Sequence, residues 1–215
     1  GSIIVDMSSI SPLAAQRVGA ACVQQGVEFL DAPVSGGEPK AVDGTLAIMV
    51  GGKQETFEKA RPLFAVMGSS ATLTGPVSAG NVTKLANQIM VACNIAAMGE
   101  ALVLATKAGL NPEVVFQAVK GGLAGSTVLN AKAPMVMERN FKPGFRIRLH
   151  QKDLRNALLA AEAMKVSLPL TSMTQQILMA LMNSGRGDLD HSAIVTFIED
   201  MAGVEVQRPE GAAAG

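Results

Sequence analysis

The chain has 215 residues, enough for one large or two small domains, and 48% of them are hydrophobic, which provides core material and excludes disorder as the main state. Eighteen basic residues balance eighteen acidic ones; with no basic block and no Tyr or Trp, the chain is a poor partner for nucleic acid. Two cysteines, Cys22 and Cys93, are too few for a disulfide scaffold and sit in apolar helical patterns that suit core packing.

The chain opens on Gly1-Ser2-Ile3-Ile4-Val5-Asp6, a β-branched stretch that suits a strand over 2–6. The expectation is a chain that starts inside a domain, with a cloning remnant at Gly1-Ser2 as the alternative. Ser11-Pro12 starts a helix that runs to about Gln25, with Gly26 as its C-terminal stop. A second strand is expected over 27–30, a loop over 31–37 from its Pro and Gly content, and a third strand over 45–50. An amphipathic helix over 53–67 and a short strand over 71–74 complete an α/β pattern, with a parallel pair across the first crossover.

The character changes at Gly75-Pro76. Beyond Ser78 only helices are expected, the first over 81–108 and about 42 Å long at ~1.5 Å per residue. Its middle is apolar on most sides (Ile89, Met90, Val91, Ala92, Cys93, Ile95), so it should be buried all round, in a bundle or a subunit interface. Shorter helices are expected near 111–120, 126–138, 149–164, 169–183 and 190–202, opened or closed by Asn111-Pro112, Ser126, Pro169, Ser184-Gly185 and Asp190. The tail 209–215 is expected to be disordered. No apolar run approaches the roughly 18 residues of a membrane span, so the expectation is a soluble, cytoplasmic protein with no membrane partner.

Three segments can carry chemistry. Ser35-Gly36-Gly37 offers closely approachable backbone N–H groups and a hydroxyl, a nest for a carboxylate or phosphate, or else a plain turn. Lys84, Asn87 and Gln88 share one helix face at i, i+3 and i+4. A lysine at the start of an apolar helix is partly desolvated, which favours proton exchange, unless it snorkels outward from a solvated first turn. Lys152-Asp153 opens a later helix, either as a cation for an anionic cofactor or as a charged first turn. His150 and His191 show no metal-ligand spacing and read as structural or surface residues, so no metal site is expected. No G-x-G-x-x-G, G-x-S-x-G or P-loop motif occurs.

Read in order, Asp6-Met7-Ser8-Ser9, Asp31-Ala32-Pro33-Val34-Ser35-Gly36-Gly37, Gly44-Thr45-Leu46 with Met49-Val50-Gly51-Gly52, Gly80-x-x-x-Lys84-x-x-Asn87 and Lys152-Asp153-Leu154 resemble the β-hydroxyacid dehydrogenase family, which includes 3-hydroxyisobutyrate dehydrogenase. The resemblance covers about residues 2–206. Within the family, Gly36-Gly37-Glu38-Pro39-Lys40-Ala41, Lys84-Leu85-Ala86-Asn87-Gln88 and the stretch from Gly121 to Leu129 resemble the branch acting on tartronate semialdehyde; the family's common Asn-Asn pair is Asn87-Gln88 here.

The resemblance implies the C-terminal part of a Rossmann-type cofactor-binding domain over 1–77, then an all-α substrate and oligomerisation domain over 78–215 with a long central helix. It also implies that roughly the first 85–90 residues of such an enzyme, with the dinucleotide fingerprint, are absent. By resemblance Lys84 is the general acid, Ser35, Gly36, Gly37 and Asn87 hold the substrate, and Ser9 and Lys152 line the site of NAD or NADP. The implied partner is a small 3-oxo or 3-hydroxy acid, and the implied assembly a dimer or tetramer of identical chains. A non-catalytic helical oligomerisation fragment is the alternative from another class.

Overall fold

The computed structural model describes residues 1–208; the expectation of a disordered tail over 209–215 lies outside them. The chain divides into two compact units. The first comprises Gly1–Ile89 with Asp153–Leu168, the second Met90–Lys152 with the chain from Pro169 onward. The division falls inside two helices rather than at the composition change near Gly75-Pro76.

In the first unit, β1 (Ile3–Asp6) pairs in parallel with β2 (Glu28–Asp31) across α1 (Pro12–Gln24), as the crossover pattern predicts. Gly26 follows α1 with φ +69°, the left-handed stop expected of it. β2 continues through Ala32-Pro33 into the short β3 (Val34–Ser35), and both lie antiparallel to β4 (Leu46–Gly51). β4 pairs in parallel with β5 (Gly68–Gly75) across α3 (Gln54–Met67). The expected loop over 31–37 therefore holds a strand, and α2 (Gly37–Val42) follows it directly. Pro39 does not prevent that helix, because it stands in the first turn, where backbone N–H groups have no intrahelical partner.

Alternation along β2 sends its residues to opposite faces. Phe29 packs beside Gly19 of α1, where an added Cβ would come within 3.1 Å of the Phe29 ring. Leu30 joins Ile48, Val50, Phe57, Ala60 and Phe64 in the core under α3, where the Phe57 and Phe64 rings stack at 5.8 Å.

The long helix α4 (Ala79–Lys107) and α7 (Ile147–Met164) contribute residues to both units. Within the first, Leu85 and Ile89 pack against Ala157 and Ala160. The second unit is helical: α5 (Pro112–Val119), α6 (Thr127–Met137), α8 (Pro169–Asn183), a 3-10 turn His191–Ala193 and α9 (Ile194–Ala202) join its parts of α4 and α7. Asn111 and Ser126 cap α5 and α6 by accepting from the N–H groups of Glu113 and Leu129, both at 2.9 Å. Gly99 lets α4 approach α9, since a Cβ there would stand 3.2 Å from Ile198.

Two expectations about α4 change. Ala92, Ile95, Met98, Leu102 and Val103 are buried, but Met90 and Leu104 are mostly exposed, so the helix is not buried all round by its own chain. It also contains a window long and apolar enough, by length and composition, to cross a membrane, with nearly half of that window buried in the chain. Asn94 and Glu100 divide the apolar stretch of α4 into short runs, while the average over the stretch stays high.

Candidate active site

The start of α4 is fixed by a carboxylate at the end of β2. Asp31 is fully buried, and its two oxygens accept from the backbone N–H groups of Ser78 (2.7 Å) and Asn81 (2.8 Å). The Asn81 side-chain amide adds a third contact at 3.3 Å, and its Oδ1 accepts from the N–H of Ile10 at 3.0 Å. A negative charge at a helix N-terminus satisfies donors that lack partners and opposes the positive end of the helix dipole. The approach is close enough to dictate two glycines. A Cβ on Gly51 would lie 2.3 Å from Asp31 Oδ1, and one on Gly80 would lie 2.4 Å from the carbonyl oxygen of Met49. The loop after β1, with Ser9 half-buried in it, is thereby tied to the first turn of α4 at the carboxyl end of the parallel β1–β2 pair.

One turn further along α4 stands Lys84, only 7% exposed. It does not snorkel from a solvated turn. Asn87 lies at i+3 on the same face, half-buried. Its Nδ2 donates to Gln88 Oε1 at 2.9 Å, and Gln88 Nε2 donates to Asp153 Oδ2 at 2.7 Å. The expected helix start at Lys152-Asp153 is not observed: α7 begins five residues earlier at Ile147, so both stand in its second turn, Lys152 exposed and Asp153 buried. Ser35 ends β3 opposite Ala47, and Gly36 and Gly37 follow with φ +137° and +67°. Two successive positive φ values turn the backbone sharply into α2 and need glycine. The Lys40 stem crosses the space that a Gly36 Cβ would fill.

The structure thus places Lys84, Asn87, Ser9, Ser35, Gly36 and Gly37 in the first unit and Lys152 in the second. Sequence reasoning missed Asp31 and Asn81, which set the helix start, and Asp153 as the partner of Gln88. Gly80, followed by Asn81, was the available signal for close packing there. A nicotinamide dinucleotide fits the first unit in one respect that can be read directly: the carboxyl end of parallel strands, where Ser9 lies, is the usual ligand crevice of such sheets.

The second unit holds two strongly perturbed groups. Asp190 is fully buried and accepts from Lys132 Nζ at 2.9 and 3.2 Å and from the N–H groups of Gly144, Phe145 and Ser192. Burial alone would raise its pKa, but the neighbouring His191, the Ser192 N–H and Lys132 outweigh it and lower the value to about 2. His191 is pushed down to about 3 by burial and by the charges of His150 and Lys132, against the opposing pull of Asp190. Among the described residues no group of three or more His, Cys, Asp or Glu side chains forms a metal site.

Comparison with known proteins agrees with this architecture. Residues 78–198 match the family model described as NAD-binding of NADP-dependent 3-hydroxyisobutyrate dehydrogenase, and residues 1–83 match the NAD binding domain of 6-phosphogluconate dehydrogenase. The chain is 48% identical to 2-hydroxy-3-oxopropionate reductase of Escherichia coli, over 94% of this chain and 69% of that protein. It is 39% identical to 2-(hydroxymethyl)glutarate dehydrogenase of Eubacterium barkeri, over 96% of this chain and 69% of that one. Among solved structures, 3-hydroxyisobutyrate dehydrogenase of Mycobacterium tuberculosis, with L-serine, superimposes with a TM-score of 0.86 at 34% identity, covering 91% of this chain and 69% of that one.

Proposed function

The chain belongs to the family of 3-hydroxyisobutyrate dehydrogenase-like β-hydroxyacid dehydrogenases, and from that premise we propose that it reduces tartronate semialdehyde (2-hydroxy-3-oxopropanoate) to D-glycerate with NADH or NADPH. The observation that carries this reading is the buried ammonium of Lys84, one helical turn from Asn87 and held in place by the Asp31 cap. A buried ammonium is retained only where it is paired or put to use, and one turn from Asn87 it is placed to meet a substrate oxygen.

When bound, NAD(P)H supplies the hydride. Lys84 gives its proton to the C3 carbonyl oxygen as that oxygen gains charge, and its own charge stabilises the developing alkoxide. Ser35 and the N–H groups of Gly36 and Gly37 take the substrate carboxylate, and Asn87 orients the substrate beside the lysine. Ser9 and Lys152 hold the cofactor.

The 48% identity to a 2-hydroxy-3-oxopropionate reductase supports the substrate, and so does the Asn87-Gln88 pair. The same reading makes the protein a cytoplasmic homo-oligomer. The exposed apolar side chains of Met90 and Leu104 on α4 are the support for assembly. Tartronate semialdehyde and methylmalonate semialdehyde, each offered with NADH and with NADPH and followed by nicotinamide absorbance, test the proposal. Preference for the first by kcat/KM is expected. Preference for the second would move the protein to the 3-hydroxyisobutyrate reaction, and inactivity on both would overturn the reading.

A further inference from the structure

Asn87 can present either its amide oxygen or its amide nitrogen to a ligand, and a carboxylate two residues removed in the hydrogen-bond chain decides which. An ionised carboxylate only accepts hydrogen bonds, so the amide nitrogen of Gln88 must be the end that faces Asp153, as the 2.7 Å contact has it. The Gln88 oxygen then faces Asn87, and an oxygen there draws the Asn87 nitrogen toward it, at 2.9 Å. Gln88 and Asp153 are only 4% and 2% exposed, so a reversed amide would set like against like away from water.

We propose that Asp153 is a positioning residue: acting through Gln88, it holds the Asn87 amide so that Oδ1 is the atom offered to the substrate. Asn87 is then an acceptor and not a donor. An acceptor suits a substrate that carries a hydroxyl proton, as 2-hydroxy-3-oxopropanoate does at C2, and it leaves carboxylate recognition to the donors of Ser35, Gly36 and Gly37. The inference rests on the placement of Asn87 at the substrate in the proposed function.

The test is a swap. Asp153→Asn replaces the acceptor-only group by an amide that can meet Gln88 either way round, and kcat/KM for tartronate semialdehyde should fall about tenfold or more. Gln88→Glu alone sets two carboxylates together and should lose as much. In the double variant the amide introduced by Asp153→Asn donates to one oxygen of the carboxylate introduced by Gln88→Glu, whose other oxygen accepts from Asn87 Nδ2. The direction is restored at unchanged net charge, and kcat/KM should return to within about threefold of wild type. Gln88→Met, which keeps volume and removes the contacts to Asn87 and Asp153, should match Asp153→Asn and serves if that variant does not fold.

The side-chain amide signal of Asn87 in 15N–1H spectra gives a readout without turnover. Its slow proton exchange should be lost in Asp153→Asn and in Gln88→Met and be regained in the double variant. If the wild-type protein does not reduce tartronate semialdehyde, the functional reading fails while the amide signal still decides the orientation. A folded double variant that recovers neither rate nor signal overturns the proposal, as does an Asp153→Asn protein within twofold of wild type with an unchanged Asn87 signal.

Discussion

His150 and His191 meet through their Nδ1 atoms at 2.9 Å in the interior of the second unit, with Phe145 edge-on to both rings. One Nδ1 must carry a proton and the other must accept it, so the pair cannot be doubly cationic. Asp190, already engaged by Lys132 and three backbone N–H groups, keeps its charge beside them.

Burial of His191, reinforced by that contact, makes stability depend on pH well above the carboxylate range. Unfolded, His191 takes up a proton near its ordinary value of 6.5; folded, it resists to about 3. Between those values the unfolded chain binds more protons, so stability falls as pH falls, by up to about 1.4 kcal/mol per pH unit. Asp190, lowered from 3.8 to about 2, loses its contribution only as pH falls between those two values. Urea unfolding at several pH values between about 7.5 and 5 should show a steadily falling midpoint. His191→Asn, whose amide can replace Nδ1 in the contact, should flatten the dependence. An equal slope in the variant would assign it elsewhere.

The Asp31 cap predicts a large stability effect far from any reacting atom. Asp31→Ala strips partners from buried N–H donors at the start of α4 and should cost about 3 kcal/mol or more. For a chain of this size that is roughly 6–12 °C in Tm. Gly51→Ala should cost about 2 kcal/mol for a steric reason, since its Cβ would press on the same carboxylate. Melting curves followed by circular dichroism check both, and a Gly51→Ala protein as stable as wild type would contradict the close approach.

Much of this was legible beforehand, and the exceptions share a cause. The β-branched stretch at Ile3, the Ser11-Pro12 start and the Asn111 and Ser126 caps are local signals, and the elements they mark formed where expected. Lys84 and Asn87 shared a face by spacing alone. Asp31 looked like the first residue of a loop because its partners, Ser78 and Asn81, lie 47 and 50 residues away. Asp153 looked like a charged surface turn because its partner Gln88 is 65 residues off. β3 and α2 were hidden for a different reason: Pro33, Gly36 and Gly37 carry turn chemistry, and pairing with β4 overrode it.

Lys152 is exposed, and its proposed role is to bind the anionic cofactor, so its replacement should leave the chemistry intact. Lys152→Ala should raise KM for NAD(P)H more than it lowers kcat, because an exposed cation contributes binding energy to an anionic cofactor in ground and transition states alike. Steady-state kinetics with varied cofactor measures the split. A kcat effect exceeding the KM effect would place Lys152 at the reacting atoms instead.

Lys84→Ala should do the opposite, removing the chemistry while the fold and cofactor binding remain nearly intact. Proton donation by a positioned acid contributes about 10²–10⁴-fold, and loss of the ammonium's attraction for the same developing oxyanion pushes the effect toward the upper end. A 10⁴-fold loss corresponds to roughly 5.5 kcal/mol of barrier. The fold should survive because Lys84 lies beyond the Asp31 cap and its removal leaves the Ser78 and Asn81 contacts untouched. Lys84→Arg should not rescue: a guanidinium keeps its proton at any working pH and can only supply charge. Any activity it retains therefore measures electrostatic stabilisation without proton transfer. The measurement is reduction of tartronate semialdehyde at saturating cofactor by wild type and both variants, with cofactor affinity from fluorescence titration. A Lys84→Ala protein within tenfold of the wild-type kcat would remove Lys84 from the role of general acid, and the buried ammonium would then need a structural explanation.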